Sequence, residues 1–563
     1  MRRYAVLLVS AAACSNGDAR GAKDNDPGLD HPGATDTPHG DDDVPMPADT
    51  DHDGVPDAED CAPDDPDVYP GAYEPAGDIW TDPACDGYRG RASLADYAFM
   101  GEAAGDWVGN SLSSAGDIDG DGLDDLLIAA GSSSEGASGA GKVHIVLSSS
   151  LPAPGGAPIS LSGSDYSFVG QAEVEFLGTS LSTAGDLDGD GLDDILFTSW
   201  GMADDPVQDG RTHVFLGATL LDLPRGEVDL DAADYVLDGE HRDDHATVVS
   251  TAGDVDGDGL DDIVIGAPDA DHSGSFSGKA YVVLGQTLVD SPVRELNLLD
   301  ADYALIAESE HDNVGASVAS AGDVDGDGLD DILIGAFGAD HAGASVGKAY
   351  LVLGSSLAAT TDTTLQLADA DATFVGETTG FWTGDPVSSA GDVDGDGLDD
   401  ILVGARMDSE VLTEAGKAYL VYGRTIADEM PLTVHLADAD HTFLGLGAHD
   451  NAGHHVSAAG DVDNDGLDDI LIGAPRHSTS ERWAGHVYLL YGKDLAATTE
   501  STLSLTNASA TIIGEADYDE LGTGSAPAGD VNGDGYGDFL VGARLNDGVG
   551  ARDAGKAYLF LGR

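Results

Sequence analysis

The chain has 563 residues, of which 23 are Lys or Arg and 105 are Asp or Glu, so its formal net charge is −82. This excess of negative charge disfavours nucleic acids and anionic membranes as partners, and it favours solubility and cation capture. Apolar residues make up 41% of the chain, which is enough for a large core. Adaptation to a salty habitat is an alternative explanation of the charge.

The N-terminal segment, residues 1–14, predicts export, because a basic start and a short apolar run precede small residues and Cys14. It resembles a bacterial lipoprotein signal in which Cys14 becomes the lipidated first residue, although Ala11 stands where that signal usually has Leu. Ordinary cleavage after Ala13 is the alternative. A lipid on Cys14 would be the chain's one membrane contact and would place it at the outer membrane or cell surface; otherwise it would be periplasmic or secreted.

Two short regions precede the main body of the chain. Residues 15–48 are rich in Asp, Gly and Pro and predict a disordered acidic tether. Residues 49–91 predict a small segment with one calcium loop and a disulfide between Cys61 and Cys85, and they resemble a thrombospondin type 3 repeat. An acidic linker with coincidental spacing is the alternative. The predicted ligands of this loop are Asp49, Asp51, Asp53, Val55, Asp57 and Asp60.

The region 92–563 repeats one nine-residue acidic motif seven times, at intervals of 68 or 69 residues. Carboxylates at positions one, three, five and nine, with a backbone carbonyl at seven, are the oxygen ligands that calcium takes at about 2.3–2.6 Å. Gly at position six permits the sharp turn. The seven loops predict these ligands: Asp117, Asp119, Asp121, Leu123, Asp125; Asp186, Asp188, Asp190, Leu192, Asp194; Asp254, Asp256, Asp258, Leu260, Asp262; Asp323, Asp325, Asp327, Leu329, Asp331; Asp392, Asp394, Asp396, Leu398, Asp400; Asp461, Asp463, Asp465, Leu467, Asp469; and Asp530, Asn532, Asp534, Tyr536, Asp538.

Each repeat carries four short runs of strand-forming residues separated by Gly and Asp, with no helical period. Four strands per repeat, arranged radially, predict an all-β, seven-bladed β-propeller of four-stranded blades. The fourth-strand motif appears first at residues 96–102, before the first acidic loop. We therefore expect this N-terminal strand to pair with the last blade and close the ring, which removes an exposed sheet edge.

The repeat resembles the FG-GAP repeat of integrin α-chain propellers, through Ser-x-Ala-Gly-Asp-x-Asp-Gly-Asp-Gly-x-Asp-Asp, Ile-Gly-Ala-Pro and Gly-Lys-Ala-Tyr-Leu. The resemblance covers roughly residues 92–563. It implies a seven-bladed propeller with calcium in the hairpin between the first two strands of each blade. Integrin legs, a transmembrane helix and an inserted ligand-binding domain are missing from this sequence. The cell-adhesion role of integrins is therefore only an expectation for this chain.

We expect about seven structural calcium ions in the propeller and one more near the N-terminus. At a dissociation constant near ~0.1 mM and ~1 mM calcium, each ion adds about 1.4 kcal/mol to folding. Asn532 and Gly537 reduce the charge of the last loop, which predicts the weakest site, whereas Asn464 in the sixth loop changes no ligand. Acidic surface turns without metal are the alternative.

The face opposite the calcium hairpins is the predicted partner surface, for a protein or a glycan. Aromatic residues and Arg, the usual anchors of an interface, appear there among polar counterparts, although they also suit gap filling between blades. Histidines gather in the same loops and suit either polar filling or a zinc or catalytic site. The candidates are Gly131, Trp200, Pro268, Phe337, Arg406, Pro475 and Arg544 after the second strands; Trp107, Phe176, Trp382 and Trp483; and His241, His245, His311, His449, His454 and His455.

Three functions compete on the sequence. The first is an exported, calcium-binding propeller that acts as a cell-surface binding or adhesion module, without catalytic residues. The second is a hydrolase or lyase with its site at the central channel, which a channel-facing cluster that breaks the sevenfold pattern would favour. The third is a purely structural envelope component.

Overall fold

The structure is a computed structural model that describes residues 90–200, 210–241, 243–341, 344–378, 380, 382–427, 432–478, 481–548 and 551–563. By compactness the chain divides into Met1–Ala48 and Asp49–Arg563, and all the described residues belong to the second unit. The predicted signal at residues 1–14, the tether at 15–48, the calcium loop at 49–60 and the Cys61–Cys85 disulfide lie outside the described residues.

Seven five-stranded sheets form the fold, and we number these blades 1–7 in the order of their acidic loops. In each blade the first four strands are antiparallel neighbours, and a short fifth strand runs parallel to the fourth. The innermost strand of each blade contacts the innermost strands of both neighbouring blades, and blade 7 contacts blade 1 in the same way. The contacts close a ring and confirm the predicted all-β, seven-bladed propeller.

The strands of blades 1–7 have the following bounds, in blade order. The first strands are Val108–Gly116, Leu181–Gly185, Val248–Gly253, Val314–Gly322, Val387–Gly391, His455–Gly460 and Leu521–Gly529. The second strands are Asp125–Ala130, Asp194–Ser199, Asp262–Ala267, Asp331–Ala336, Asp400–Ala405, Asp469–Ala474 and Asp538–Ala543. The third strands are Lys142–Val146, Arg211–Phe215, Lys279–Val283, Lys348–Val352, Lys417–Val421, His486–Leu490 and Lys556–Phe560. The fourth strands are Tyr166–Val169, Tyr235–Asp238, Tyr303–Ile306, Ala372–Val375, His441–Leu444, Ala510–Ile513 and Tyr97–Met100.

The fifth strands differ from the predicted four-stranded blades. They are Gly226–Val228, Glu295–Asn297, Thr364–Gln366, Leu432–His435, Thr502–Ser504, Gly90–Arg91 and Ile159–Ser160. Each comes from the repeat that follows its blade in the ring and covers the outer edge of the fourth strand, as Thr364 does opposite Ala304. The prediction missed them because a run of two to four residues shows too little alternation to be recognised as a strand.

Short helices follow the third strands. The sequence did not predict them, because it shows no helical period. The α-helices are Gly217–Asp222, Gly285–Asp290, Gly354–Ala359, Gly423–Ala427 and Gly492–Ala497. The 3₁₀ turns are Ala92–Leu94, Ser148–Ser150, Leu161–Gly163, Leu230–Ala232, Leu298–Asp300, Leu367–Asp369, Leu436–Asp438 and Leu505–Asn507, and a small hairpin joins Asp340–His341 to Ala344–Ser345. Among the described residues, no helix is long and apolar enough to cross a membrane.

The N-terminal strand completes blade 7, as predicted. Tyr97–Met100 pairs antiparallel with Lys556–Phe560, and Phe99, opposite Ala557, is fully buried. Gly90–Arg91 joins blade 6, so pairing begins two residues before the predicted start of the propeller. Two neighbouring blades therefore depend on the same stretch of N-terminal chain.

The core lies between the blades. The second strands, such as Asp331–Ala336, are buried along their whole length, because neighbouring blades cover both faces of the strand. One hydrophobic cluster, for example, joins Leu333 and Phe374 of blade 4 to Ile401 and Tyr419 of blade 5. This packing fixes both ends of every blade, and therefore the loops described next.

Candidate metal centres and the opposite loop face

Each acidic hairpin is wound around its first carboxylate. In blade 4, Oδ1 of Asp323 accepts hydrogen bonds from the backbone N–H of Gly326 at 2.7 Å and of Asp327 at 3.0 Å. Oδ2 accepts from the N–H of Gly328 at 2.9 Å. Since Gly326 and Gly328 adopt φ of 76° and 89°, glycine is needed for this tight winding.

Three of the predicted ligands come together in most of the acidic loops. They are the carboxylates at positions one, three and nine. In at least five loops their oxygens lie within 4.8 Å of one another. The fifth-position carboxylate is not part of these groups of three; Asp327, for instance, accepts from the backbone N–H of Leu329 at 3.0 Å. The groups are Asp117, Asp119, Asp125; Asp186, Asp188, Asp194; Asp254, Asp256, Asp262; Asp323, Asp325, Asp331; and Asp392, Asp394, Asp400.

The ninth-position carboxylate is the most buried member of each group. Oδ1 of Asp331 accepts from the N–H of Gly354, and Oδ2 accepts from the N–H of Val324, both at 3.0 Å. Burial outweighs these hydrogen bonds and raises the pKa of Asp331 to about 8, and the negative charge of Asp325 raises it further. The same burial raises the pKa of Asp538 in the last loop to about 7.

The donor set fits a hard divalent cation. Oδ1 of Asp119, Oδ2 of Asp125 and Oδ1 of Asp463 are buried and have no hydrogen-bond partner among the described residues. Unpartnered buried carboxylate oxygens that face other carboxylates are costly unless a cation neutralises them. These Asp clusters could therefore hold a metal.

The eighth-position carboxylate, which the sequence reasoning did not single out, links neighbouring blades. Oδ2 of Asp399 accepts from the N–H of Asp323 in the preceding loop at 2.9 Å, and the N–H of Asp399 donates to the carbonyl of Asp323 at 3.2 Å. Asp124 of blade 1 makes the same contact with Asp530 of blade 7, at 2.7 Å. The acidic loops thus form a hydrogen-bonded ring around the propeller axis.

The sixth and seventh loops differ from the other five at Asn464 and at Asn532 and Gly537. Asn464 adopts φ of 54°, a left-handed conformation that Asn tolerates better than most residues. In loop 7, Oδ1 of Asn532 accepts from the N–H of Asp534 at 2.9 Å, as an aspartate would. Gly537 lacks the linking carboxylate, and its N–H bonds the carbonyl of Asp461 at 2.7 Å instead.

In blades 5 and 6 a basic side chain reaches into the acidic loop. Nη1 of Arg424 contacts Asp394 and lies 3.8 Å from Oδ2 of Asp396. In the equivalent position of blade 6, Nζ of Lys493 contacts Asp463 and lies 3.8 Å from Oδ2 of Asp465. These two loops therefore have a cation of their own within reach.

An aromatic ring supports each of these cations. Arg424 lies 4.4 Å from the centroid of Tyr422, and Lys493 lies 4.5 Å from that of Tyr491. The other five blades carry Leu at the position of these tyrosines. Aligning the repeats position by position would have shown this pairing of Tyr with a basic residue.

The opposite end of the propeller presents the loops between second and third strands and between blades. A repeated left-handed residue lies just before each first strand, with φ between 49° and 58°. The backbone at this position is the same in every blade, while the side chain changes. The seven residues are Trp107, Phe176, His245, Asn313, Trp382, Asn451 and Glu520.

The predicted aromatic candidates meet in pairs across this face. Phe176 packs edge-on against Trp200, with ring centroids 5.7 Å apart, and Trp200 lies 5.3 Å from His245. Trp382 lies 5.3 Å from Phe337. The pairs Trp200–His245 and Phe337–Trp382 each join two neighbouring blades.

The arginine candidates are paired. Arg406 lies 4.8 Å from the centroid of Trp382 and forms an ion pair with Asp385 at 2.7 Å. Arg544 pairs with Glu520 at 2.8 Å. Gly131, Pro268 and Pro475 occupy the corresponding positions of the other blades and add no charge or aromatic ring there.

The histidine candidates are spread over several blade junctions. His245 pairs with Asp269 at 2.7 Å, and His449 pairs with Glu414 at 2.8 Å. His311 lies beside Phe276, and His241 lies beside Glu240. The two remaining candidates, His454 and His455, are buried enough that desolvation lowers the pKa of both.

The FG-GAP repeat model matches residues 108–146, 246–283, 314–352, 387–421, 452–490 and 522–560. These matches cover the first three strands of blades 1, 3, 4, 5, 6 and 7. Blade 2 lies outside the matches, although it has the same five strands and the same acidic loop. Its second strand reads Phe197-Thr198-Ser199 where blade 4 has Ile334-Gly335-Ala336.

Curated relatives include integrin α chains. Integrin alpha pat-2 of Caenorhabditis elegans is 31% identical over 249 residues, which is 42% of this chain and 18% of that protein. Integrin alpha-5 of Xenopus laevis is 31% identical over 186 residues, which is 32% of this chain and 17% of that protein. The chain thus spans under a fifth of these relatives.

Among solved structures, BBS1N in complex with ARL6DN aligns with 84% of this chain and 95% of that chain, at a TM-score of 0.39 and 8% identity. The family assignment rests instead on the repeats and the integrin relatives. The chain therefore carries six FG-GAP repeats in a closed seven-bladed β-propeller and is similar to integrin α chains.

Proposed function

We propose that the chain is an exported, calcium-stabilised binding module that docks a protein or a glycan at the cell surface. The observation that carries this proposal is the contrast between the two ends of the propeller. The acidic hairpins share one winding around their first carboxylate in all seven blades, whereas the opposite loops keep one backbone and change its side chains. A constant frame that presents variable residues is how a rigid scaffold supports recognition.

Calcium is the metal that this proposal assigns to the Asp clusters. Carboxylate oxygens without nitrogen or sulfur donors favour hard cations, and a hairpin loop adapts to the larger and more flexible coordination of Ca²⁺ better than to that of Mg²⁺. Asp125, Asp194, Asp262, Asp331, Asp400, Asp469 and Asp538 would supply the buried ligand of each site. The bound ion would neutralise charges that otherwise repel one another.

A calcium titration of the full chain tests the proposal. We expect the thermal midpoint to rise markedly from excess chelator to 1 mM calcium (about the extracellular level), with several ions bound per chain. Magnesium at the same concentration serves as the control and should raise the midpoint less. An unchanged midpoint with no bound calcium would remove the metal from the proposal.

A second candidate function is hydrolysis at the central channel, and one observation favours it. Nδ1 of His455, on the first strand of blade 6, lies 3.1 Å from Oγ of Ser525, on the first strand of blade 7. This pair breaks the sevenfold pattern, and burial lowers the pKa of His455 to about 4, which leaves its imidazole neutral. Loss of p-nitrophenyl ester hydrolysis in Ser525→Ala, but not in Ser180→Ala, would support it.

A further inference from the structure

The loop face carries one cluster that the proposed function leaves unassigned: the arginine–aromatic cluster of Arg476, Arg482, Trp483 and Tyr518, at the junction of blades 6 and 7. Arg476 and Arg482 lie 5.7 Å and 5.1 Å from the centroid of the Trp483 ring. Arg482 also lies 5.6 Å from the centroid of Tyr518, whose ring meets Trp483 edge-on at 5.7 Å. The four side chains form one continuous surface.

The propeller frame does not require aromatic residues at these positions. Trp483 and Tyr518 adopt φ of 52° and 69°, a conformation that bulky side chains disfavour. The N–H of Tyr518 donates to the carbonyl of Arg482 at 2.7 Å, and Gly105, Val174, His311 and His449 make the same backbone contact in their own blades. At the other junctions this frame holds pairs of different chemistry: Gly139 with Val174, Phe276 with His311, Glu414 with His449, and Asp553 with Gly105.

The charge of the cluster is unusual for this molecule. Arg476 and Arg482 are exposed, and within the described residues neither forms an ion pair with a carboxylate, although the chain carries 105 Asp and Glu. Trp483 orders both guanidinium groups through cation–π contacts, and none of their N–H donors has a hydrogen-bond partner among the described residues. Arginine held in this way is suited to bidentate binding of an anion.

His454 lies near Arg476, Arg406 and Arg544, and burial together with these charges lowers its pKa well below its usual value. Arg406 and Arg544 are paired with Asp385 and Glu520, whereas Arg476 has no ion pair among the described residues. Nδ1 of His454 is buried without a hydrogen-bond partner in the described part of the chain. A ligand with several anionic groups along its length could pair with Arg476 and Arg482 together.

The shape of the cluster favours a sugar over a peptide. Tyr518 is 43% exposed and offers an open, flat ring, which suits the apolar C–H face of a pyranose. An acidic peptide would need a groove or a free strand edge for its backbone, and here the neighbouring backbone N–H groups of Arg482, Trp483 and Tyr518 are already bonded. We propose that this cluster binds an anionic polysaccharide, in which carboxylate or sulfate groups pair with the two arginines. This inference rests on the proposed function, because it names the ligand class of the same face.

Binding of defined polysaccharides to the full, calcium-loaded chain tests the inference. The probes are polygalacturonate, dextran sulfate and neutral dextran, with poly-glutamate as the peptide comparison, and binding is measured by calorimetry at low and high salt. We expect a polyanionic polysaccharide to bind and neutral dextran not to bind. Polygalacturonate and dextran sulfate separate a carboxylate from a sulfate as the recognised group.

Variants locate the site. Arg482→Ala and Tyr518→Ala should each weaken binding about tenfold, the loss expected for one charge-assisted contact or one stacked ring. Phe276→Ala removes the aromatic ring that stands in blade 3 where Trp483 stands in blade 6, and as the control it should bind like the unmodified chain. Thermal midpoints in calcium show that each variant is folded.

Three results would overturn the inference: no binding of either polyanionic polysaccharide by the folded chain, equal binding of poly-glutamate, or binding that Arg482→Ala and Tyr518→Ala leave unchanged. The calcium titration described above distinguishes these failures from failure of the proposed function. A chain that is stabilised by calcium and adheres to cells through another part of the loop face would keep its proposed function and lose this ligand.

Discussion

At the scale of single residues, the ninth-position aspartates show why a bound cation would stabilise the acidic loops. Asp331 is fully buried and held by two backbone N–H groups, yet Asp323 and Asp325 place further negative charge beside it. Burial alone favours the neutral acid, as its raised pKa records. A bound cation removes this conflict, because it stabilises the charged form in place.

Without metal, these aspartates predict that the protein is more stable at acidic than at alkaline pH, which is the reverse of the usual effect of carboxyl groups. A carboxyl whose folded-state pKa is raised from its ordinary value near 4 to about 8, as for Asp262 and Asp331, binds more protons when folded than when unfolded. The stabilisation is therefore fully present below pH 4 and is lost as the pH rises toward 8. In excess chelator we expect a lower thermal midpoint at pH 8 than at pH 5.

Calcium should flatten or reverse this trend, since it replaces the protons on the same oxygens. Midpoints measured by circular dichroism at both pH values, with and without calcium, check the prediction. The same midpoint at pH 5 and pH 8 in chelator would contradict it.

Neighbouring aspartates in one loop should respond differently to the same substitution. Asp331→Asn removes a predicted metal ligand and should reduce the bound calcium by one ion per chain. Asp330→Asn leaves the ligands intact but weakens the link to Asp254 of blade 3, which Asp330 holds at 2.9 Å. We expect it to keep its ion count and to lose about 2 kcal/mol of unfolding free energy, the value of a hydrogen bond to a charged group.

Equilibrium dialysis and denaturant unfolding of the two variants check this prediction, and each variant is the control for the other. Loss of an ion in Asp330→Asn, or an unchanged ion count in Asp331→Asn, would show that the roles are assigned wrongly.

At the scale of elements, the basic side chains of blades 5 and 6 should compete with metal. Lys493→Met keeps the length of the side chain and removes its charge from Asp463 and Asp465. An exposed ion pair of ordinary strength would lower the apparent affinity of loop 6 about two- to sixfold, so the variant should bind calcium more tightly by that factor.

Isothermal titration with calcium measures the change. Gln286→Met is the matched control, because it occupies the same position in blade 3, where Leu284 replaces the supporting tyrosine. Equal affinity in Lys493→Met and the unmodified chain would mean that the lysine moves away without cost.

The closing strand predicts that a substitution near the start of the propeller sequence strongly lowers the stability of the last blade. Phe99 is fully buried in the core that blade 7 shares with blade 1. We expect Phe99→Ala to cost about 3–5 kcal/mol, as truncation of a buried Phe does elsewhere. Ser160→Ala, on the exposed fifth strand beside Met100, should change the unfolding free energy little. Urea unfolding distinguishes the two, and equal stability of both variants would argue against closure by this strand.

Element by element, the sequence predicted what repeats strongly and is long enough to show a period. The apolar second strands and the acidic hairpins were predicted because each recurs at one spacing. The fifth strands, such as Thr364–Gln366, and the short helices, such as Gly354–Ala359, were not, because tertiary packing forms them rather than local propensity.

At the scale of the whole molecule, the ring and its acidic end could be predicted, but the contacts of the opposite end could not. The pairing of Trp382 with Arg406, or of Trp483 with Tyr518, joins residues of different loops whose distance depends on how the blades turn. The roles of Asp399 and Gly537 have the same origin, since the eighth position bonds a neighbouring blade and not its own loop. Repetition along the chain does not show which neighbour each copy will touch.

Because blade 7 contains both ends of the propeller sequence, the same ring could be built by a chain that starts in a different blade. Arg563, at the C-terminus, forms an ion pair with Asp96, just ahead of the closing strand, so both ends of the propeller sequence meet in one sheet. A peptide linker between those ends, with a new start opened in another inter-blade loop, would give a circular permutant with the same contacts. The contacts of the ring therefore do not depend on the blade in which the propeller sequence starts.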